Sequence, residues 1–233
     1  MTEKLEEIMT TLRTAAQIAC LFAALSALAL GQSLPISSHP DTTGWQPLFS
    51  GDLSNAVFPP GSWVMEDGVL HAVGHDTIWT KDAYGDFVLD MEFKVAKGAN
   101  SGVFLRAGDI NDILSALEIQ IHENTDGSRI GMVGALYDAK APSKNVAKPA
   151  GEWNHYTITC KGSRLYLVFN GEQALNVDLN DWTEPHKNPD GTPNKFDKAL
   201  KDYARKGPIG LQGIHGREGQ PVWFRNLKIK ALD

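Results

Sequence analysis

Cysteine is nearly absent from this chain: there are two in 233 residues, Cys20 near the N-terminus and Cys160 in the second half. No disulfide framework can therefore carry the fold, and once a leader containing Cys20 is removed no intrachain disulfide can form. Cys160 lies in an alternating run and reads as a small buried hydrophobe. Positive charge is also scarce, with 22 Lys and Arg against 28 Asp and Glu for a net charge of −6. That balance argues against nucleic acid or an anionic membrane surface as the partner. Zinc-ligand spacing, a phosphate-binding glycine loop and a nucleophile elbow are all missing. There is no internal repeat and no low-complexity tract.

Long apolar runs are limited to one, residues 15–31, which ends in Ala29-Leu30-Gly31. Small residues in that position suit signal-peptide cleavage before Gln32, so residues 1–31 read as a leader and the protein as exported, to the periplasm or outside the cell. Glu3, Glu6 and Glu7 are unusual in a leader, and the run is long enough to stay as an anchor, the alternative in which the protein would touch a membrane. Gln17 upstream of Cys20 and the apolar run after it do not suit lipidation.

The full chain is 42% hydrophobic, enough for one sizeable core. Residues 32–43, rich in Ser, Pro, Asp and Thr, read as a linker, and 44–233 as one domain. Short alternating runs are expected as strands over 45–49, 63–65, 69–73, 87–95, 102–107, 116–122, 134–137, 155–161, 164–169, 173–178, 209–212 and 222–231. Turn signals such as Glu66-Asp67-Gly68, Lys161-Gly162-Ser163 and Asn170-Gly171 separate them. This is an all-β sandwich or barrel. The run 87–95 puts Phe87, Leu89, Met91, Phe93 and Val95 on one face and Asp90, Glu92 and Lys94 on the other, a strand packed on one side. Between 180 and 207 the pattern gives way to a polar excursion in which only 195–205 looks helical, with Phe196, Leu200 and Tyr203 on one face. An excursion of this length suits the lid or wall of a site.

Two alternating runs carry the chemistry. Val103, Leu105, Leu117, Ile119 and Ile121 form the core set; Asn100, Phe104, Arg106, Glu118, Gln120 and His122 form the opposite set. A cation, a carboxylate, amides and an imidazole on one face make a candidate site. Further along, Gln212-Gly213-Ile214-His215-Gly216 follows a strand, and Trp79 with Lys81 presents an indole beside a cation, a common sugar platform. Tyr137 and Asn154 could bind hydroxyls, and Asn100 could do so or close the turn before its strand. Trp153 and Trp223 read as core.

An ordered set of phrases resembles a known family: Trp45-Gln46-Pro47-Leu48-Phe49 with Gly51-Asp52-Leu53; Ile78-Trp79-Thr80-Lys81; Tyr84-Gly85-Asp86-Phe87; Asn100 to Arg106; Glu118 to Ile121; Gly134-Ala135-Leu136-Tyr137; Pro149 to Asn154; Gly207 to Gln212; and Val222 to Asn226. Over residues 44–232 the chain is similar to the 3-keto-disaccharide hydrolases, formerly a domain of unknown function (1080). The resemblance implies a concanavalin A-like jelly roll of two curved antiparallel sheets and an activity on glycosides oxidised to a ketone at C3. Members often have an acidic residue between Gln212 and His215, where this chain has Gly213-Ile214.

A ketone at C3 acidifies the C2 proton. A base can remove it, the enediolate expels the C1 oxygen, and water adds back. Glu118 or His122 could serve as base and acid, with Arg106 on the oxyanion; alternatively Glu118 and Arg106 are only an exposed cross-strand ion pair. Trp79, Lys81, Asn100, Gln120, Tyr137, Asn154, Gln212 and His215 are candidate sugar contacts. No cofactor is evident; a divalent cation such as calcium is compatible with the acidic composition, but no ligand set stands out. The expected partner is a carbohydrate, the oligomeric state being left open. A non-catalytic lectin would keep Trp79, Tyr137 and Gln120 without needing a base. A conventional endo-glucanase is disfavoured, because Gln120 and His122 stand where its further carboxylates would be.

Overall fold

The computed structural model describes residues 38–123, 129–215 and 220–232. The leader, and the part of the linker before residue 38, lie outside the described residues. Thirteen strands follow one another: β1 (Gln46–Pro47), β2 (Ala56–Val57), β3 (Trp63–Glu66), β4 (Val69–Ala72), β5 (Ile78–Thr80), β6 (Phe87–Val95), β7 (Asn100–Leu105), β8 (Leu117–His122), β9 (Asn154–Lys161), β10 (Arg164–Phe169), β11 (Glu172–Asp178), β12 (Gly210–Leu211) and β13 (Val222–Ala231). They build two antiparallel sheets. One has eight strands in the order β11-β10-β9-β6-β13-β4-β3, with β1 also on β13; the other has five, β2-β5-β12-β7-β8. The result is a jelly-roll sandwich, as the alternating pattern and the resemblance lead one to expect. Among the described residues no helix is long and apolar enough to cross a membrane.

Local chemistry sets the hairpins. Asp67-Gly68 and Asn170-Gly171 each join two strands through a two-residue loop in which both residues have positive φ, the backbone whose twist matches the flanking strands. Pro47, with no N–H to give, sits in the short edge strand β1. Strands β1 and β4 share one edge of β13, split at the irregularity between Arg225 and Lys228.

The core lies between the sheets. Phe87, Leu89, Met91, Phe93 and Val95 of β6 are all buried, facing Val103, Leu105, Leu117, Ile119 and Ile121 of the second sheet. Phe93, Tyr156 and Phe169 pack ring against ring at 4.6–6.2 Å between centroids. The Tyr156 hydroxyl crosses the interior to donate to the Gln120 carbonyl at 2.9 Å, tying the two sheets together behind β8. Cys160 is buried, and burial pushes its thiol up to about 12, so it is the inert hydrophobe expected.

Several local expectations are corrected. Residues 134–137 form no strand: Gly134 has φ +81°, and Leu136 makes only isolated bridges to Ile119 and Lys140. The helical stretch at 195–205 reduces to one 3₁₀ turn, Leu200–Asp202, though Phe196, Leu200 and Tyr203 are buried as the spacing suggested. Trp153 and Trp223 are not core. Each is half-buried on the outer face of the eight-stranded sheet, where Lys94 Nζ lies 5.0 and 4.6 Å from their ring centroids and Arg225 lies over Trp153 at 4.0 Å.

Candidate active site

The outer face of the five-stranded sheet is laid out by register. In one row Trp79, Gly210, Phe104 and Glu118 are successive cross-strand partners on β5, β12, β7 and β8. Gly102 and Gln120 pair in the next row, beside Gln212, whose N–H donates to the Gly102 carbonyl at 2.9 Å. Asn100 then pairs with His122 and bridges to His215. Period-two alternation thus brings Glu118, Gln120, His122, Asn100, Gln212 and His215 onto one patch.

Two glycines make room for it. A Cβ on Gly102 would collide with the Glu118 carboxylate, and one on Gly210 would meet the Trp79 ring at 2.6 Å. Their absence lets Glu118 lie across β7 and the indole lie across β12, where Trp79 stacks on Phe104 at 5.5 Å between centroids. Gly213 has the same origin: a side chain there would run into the backbone at residues 74–76.

Glu118 is the electrostatic centre. Its side chain is 11% exposed, and burial raises its pKa to about 7 against the opposing pull of Lys195, whose Nζ stands 3.7 Å from Oε2. Burial in turn lowers the Lys195 pKa, with Glu118 and Asp138 opposing. The ammonium also lies 4.1 Å from the centroid of the Tyr137 ring. Tyr137 is fixed by its own N–H donating to the Glu118 carbonyl at 2.9 Å, and burial raises its hydroxyl pKa.

Lys195 was not nominated from the sequence, because nothing near it in the chain points to Glu118. It arrives on the 180–207 excursion, which is held by a buried amide hub. Asn188 Oδ1 accepts from Trp182 Nε1 at 2.8 Å and from Asn194 Nδ2 at 3.0 Å, and the Lys195 N–H donates to Asp138 Oδ2 at 2.6 Å. The only hint in the sequence was the length of the excursion.

Among the described residues, the buried side-chain polar atoms with no partner are Asn100 Oδ1, Gln120 Oε1 and Gln212 Oε1, and all three belong to this patch. A buried acceptor left unmet costs about 1–3 kcal/mol. Three together mark a surface that expects donors, such as the hydroxyls of a ligand.

Other nominated residues lie elsewhere. Arg106 has φ +51°, so β7 ends before it and its side chain leaves the alternation. It is 1% exposed and donates to the Gly85 carbonyl at 2.8 Å, the Gly162 carbonyl at 2.7 Å and Asp86 Oδ1 at 2.9 Å. This is neither an oxyanion contact nor a pair with Glu118. Lys81 donates to the Ser54 carbonyl at 2.8 Å, away from the patch. Asn154 is buried at the start of β9, accepting from the Lys148 N–H and Asn170 Nδ2, both at 2.9 Å. Trp79 is on the right face but only 4% exposed, so it is packing and not an open platform. The one group of described residues able to gather around a metal ion, His39, Asp90 and His155, is away from the patch, with Asp90 and His155 on the other sheet and His39 in the segment before β1.

Comparison with known proteins identifies the family and the fold. Residues 40–230 match the model of the 3-keto-alpha-glucoside-1,2-lyase-like domain. A 3-keto-disaccharide hydrolase of Bacteroides thetaiotaomicron is 30% identical over 207 residues, 75% of this chain and 71% of that protein. A crystal structure from Parabacteroides distasonis, provisionally described as a glycosyl hydrolase, is 40% identical, with a TM-score of 0.77 over 81% of this chain and 99% of that one. A second from the same organism, described in the same way, is 26% identical with a TM-score of 0.61, covering 84% and 86%. The match spans both sheets and every residue of the patch, and the chain belongs to the family of 3-keto-alpha-glucoside-1,2-lyase-like domains, a family of glycoside-acting enzymes.

Proposed function

We propose that the protein cleaves glycosides bearing a ketone at C3, by elimination across C1 and C2 followed by hydration. The observation that carries this is Glu118, a single largely buried carboxylate with a pKa raised to about 7 and a cation 3.7 Å away. A carboxyl group titrating there can both take and return a proton at neutral pH. Glu118 removes the C2 proton, the electron pair of that bond forms the enediolate, and the Lys195 ammonium lies where it stabilises the negative oxygen. Collapse of the enediolate breaks the C1–O bond, and His122 protonates the departing oxygen. Water then adds at C1 while C2 regains a proton, giving the free 3-keto sugar and the released alcohol.

Direct displacement at C1 is less well supported. The same-face neighbours of Glu118 on β8 are Gln120 and His122, and the nearby Asp138 carboxylate is engaged by the Lys195 N–H. A purely lectin-like role loses its open aromatic platform, because Trp79 is buried under its neighbours. The unmet amide oxygens of Asn100, Gln120 and Gln212 hold the sugar hydroxyls, with His215 at the rim. Export is part of the proposal and rests on residues 15–31; cell fractionation with an antibody to the folded domain checks it, and protein confined to the cytoplasm removes it.

Turnover of a 3-keto-glucoside with a chromogenic leaving group in deuterated water tests the chemistry. Solvent deuterium is expected at C2 of the product, and Glu118→Gln should lower turnover by roughly 10²–10⁴-fold. Product without C2 deuterium, together with comparable rates on the unoxidised glucoside, would replace elimination with displacement.

A further inference from the structure

We propose that His39, Asp90 and His155 form a binding site for one divalent transition-metal ion, of the zinc or cobalt class, that fastens the segment entering the domain to the outer face of the eight-stranded sheet. The three residues come from separate parts of the chain: His39 precedes β1, Asp90 is on β6 and His155 is on β9. One ligand atom from each lies within 4.8 Å of the other two. His155 Nε2 is 2.8 Å from Asp90 Oδ1, and the two imidazole rings stack with centroids 3.3 Å apart. Metal–ligand bonds of about 2.0 Å at a tetrahedral angle would put ligand atoms roughly 3.3 Å apart. The rings are stacked with 23° between their planes, so each would have to tilt out of the stack to aim its in-plane lone pair at a shared ion.

The surroundings are those of a supported site. Asp90 is 5% exposed although it points away from the core, because the entering segment covers it. Its second oxygen accepts from Thr157 Oγ1 at 2.6 Å, and that hydroxyl is also 3.1 Å from His39 Nδ1. Such a bond to the outer oxygen of a ligating carboxylate fixes its orientation. Glu92, the neighbouring carboxylate on the same face, does not complete the set, since Arg225 and Asn226 hold it. Two imidazoles and one carboxylate select zinc or cobalt over calcium or magnesium, which prefer oxygen.

The full chain, without a histidine tag and stripped of metal, should be titrated with Co(II) and then Zn(II), reading the visible d–d bands and the bound metal. One equivalent is expected, with affinity falling at least about tenfold in His39→Ala and in His155→Gln. Zinc should also protect residues 38–43 from hydrogen exchange in the parent and not in His39→Ala, whose core is untouched. His122→Ala with His215→Ala should leave binding unchanged. No uptake by the folded parent at 100 μM metal would overturn the proposal. So would uptake that survives in His39→Ala and His155→Gln, or that is lost only in the His122 and His215 variant.

Discussion

Glu118 and Lys195 each lose solvent by being buried, and each recovers part of that loss from the other across 3.7 Å. The carboxyl group is left with a pKa of about 7 because desolvation outweighs the attraction. Removing the cation must push it further in the same direction. Lys195→Met is therefore expected to move the acid limb of the kcat/KM profile upward from near pH 7 and to lower the plateau, since the enediolate loses its counter-charge. An unmoved limb in a pH–rate series would separate Lys195 from the base. Arg106 makes the opposite case. Its three hydrogen bonds join the end of β7, the start of β6 and the turn between β9 and β10. Replacing the planar fork with a point charge leaves at least one buried carbonyl unmet, so Arg106→Lys should cost about 2–4 kcal/mol. Turnover per folded molecule should be unchanged. A large loss of kcat at full stability, measured by urea unfolding alongside kinetics, would restore Arg106 to the chemistry.

At the scale of elements, the site depends on where side chains are missing as much as on where they are present. Gly102→Ala adds one methyl group in the path of the Glu118 carboxylate, in an extended strand that accepts alanine without backbone strain. The strand should form, Glu118 should be turned aside, and kcat should fall by at least about tenfold, the cost of misplacing a reacting group by a fraction of its productive geometry. Near-normal kcat would mean that Glu118 works from another rotamer. Such glycines mark the limit of what the sequence discloses. Strands 87–95, 164–169 and 222–231 were legible to the residue, because alternation over six or more positions is a local property. The face shared by Glu118, Gln120, His122 and Asn100 followed from the same rule. Arg106 was misread because one positive φ ends the alternation before it. Lys195 and His39 were invisible because each meets its partner only through the fold, across 77 and 116 positions of chain. Ala56–Val57 is two residues long, too short to show a period.

Taken as a whole, the proposed chemistry lies on the five-stranded sheet with the eight-stranded sheet as its support, and that division carries a cost in stability. In the unfolded chain Glu118 ionises around 4.5, whereas in the folded protein it keeps its proton until about 7. Below 4.5 both states are protonated and the residue contributes nothing to the pH dependence. Between those values the unfolded chain binds fewer protons than the folded one, so stability falls as pH rises, and above 7 the loss is complete. His39 opposes this trend: its lowered pKa makes stability rise as pH climbs toward 6.5. Because His39 is the same in both proteins, comparing Glu118→Gln with the parent cancels its effect. The variant should match the parent's pH trend below 4.5 and gain on it steadily up to pH 7. By pH 8 the gain should be on the order of 2–3 kcal/mol, the equivalent of the separation between the two pKa values less what Lys195 loses as its counter-charge disappears. Urea unfolding of both proteins at pH 4, 6 and 8 reads this directly. A constant difference across the three would show that the folded Glu118 ionises where an ordinary carboxylate does, and the proposed base would then lack the proton affinity on which the elimination depends.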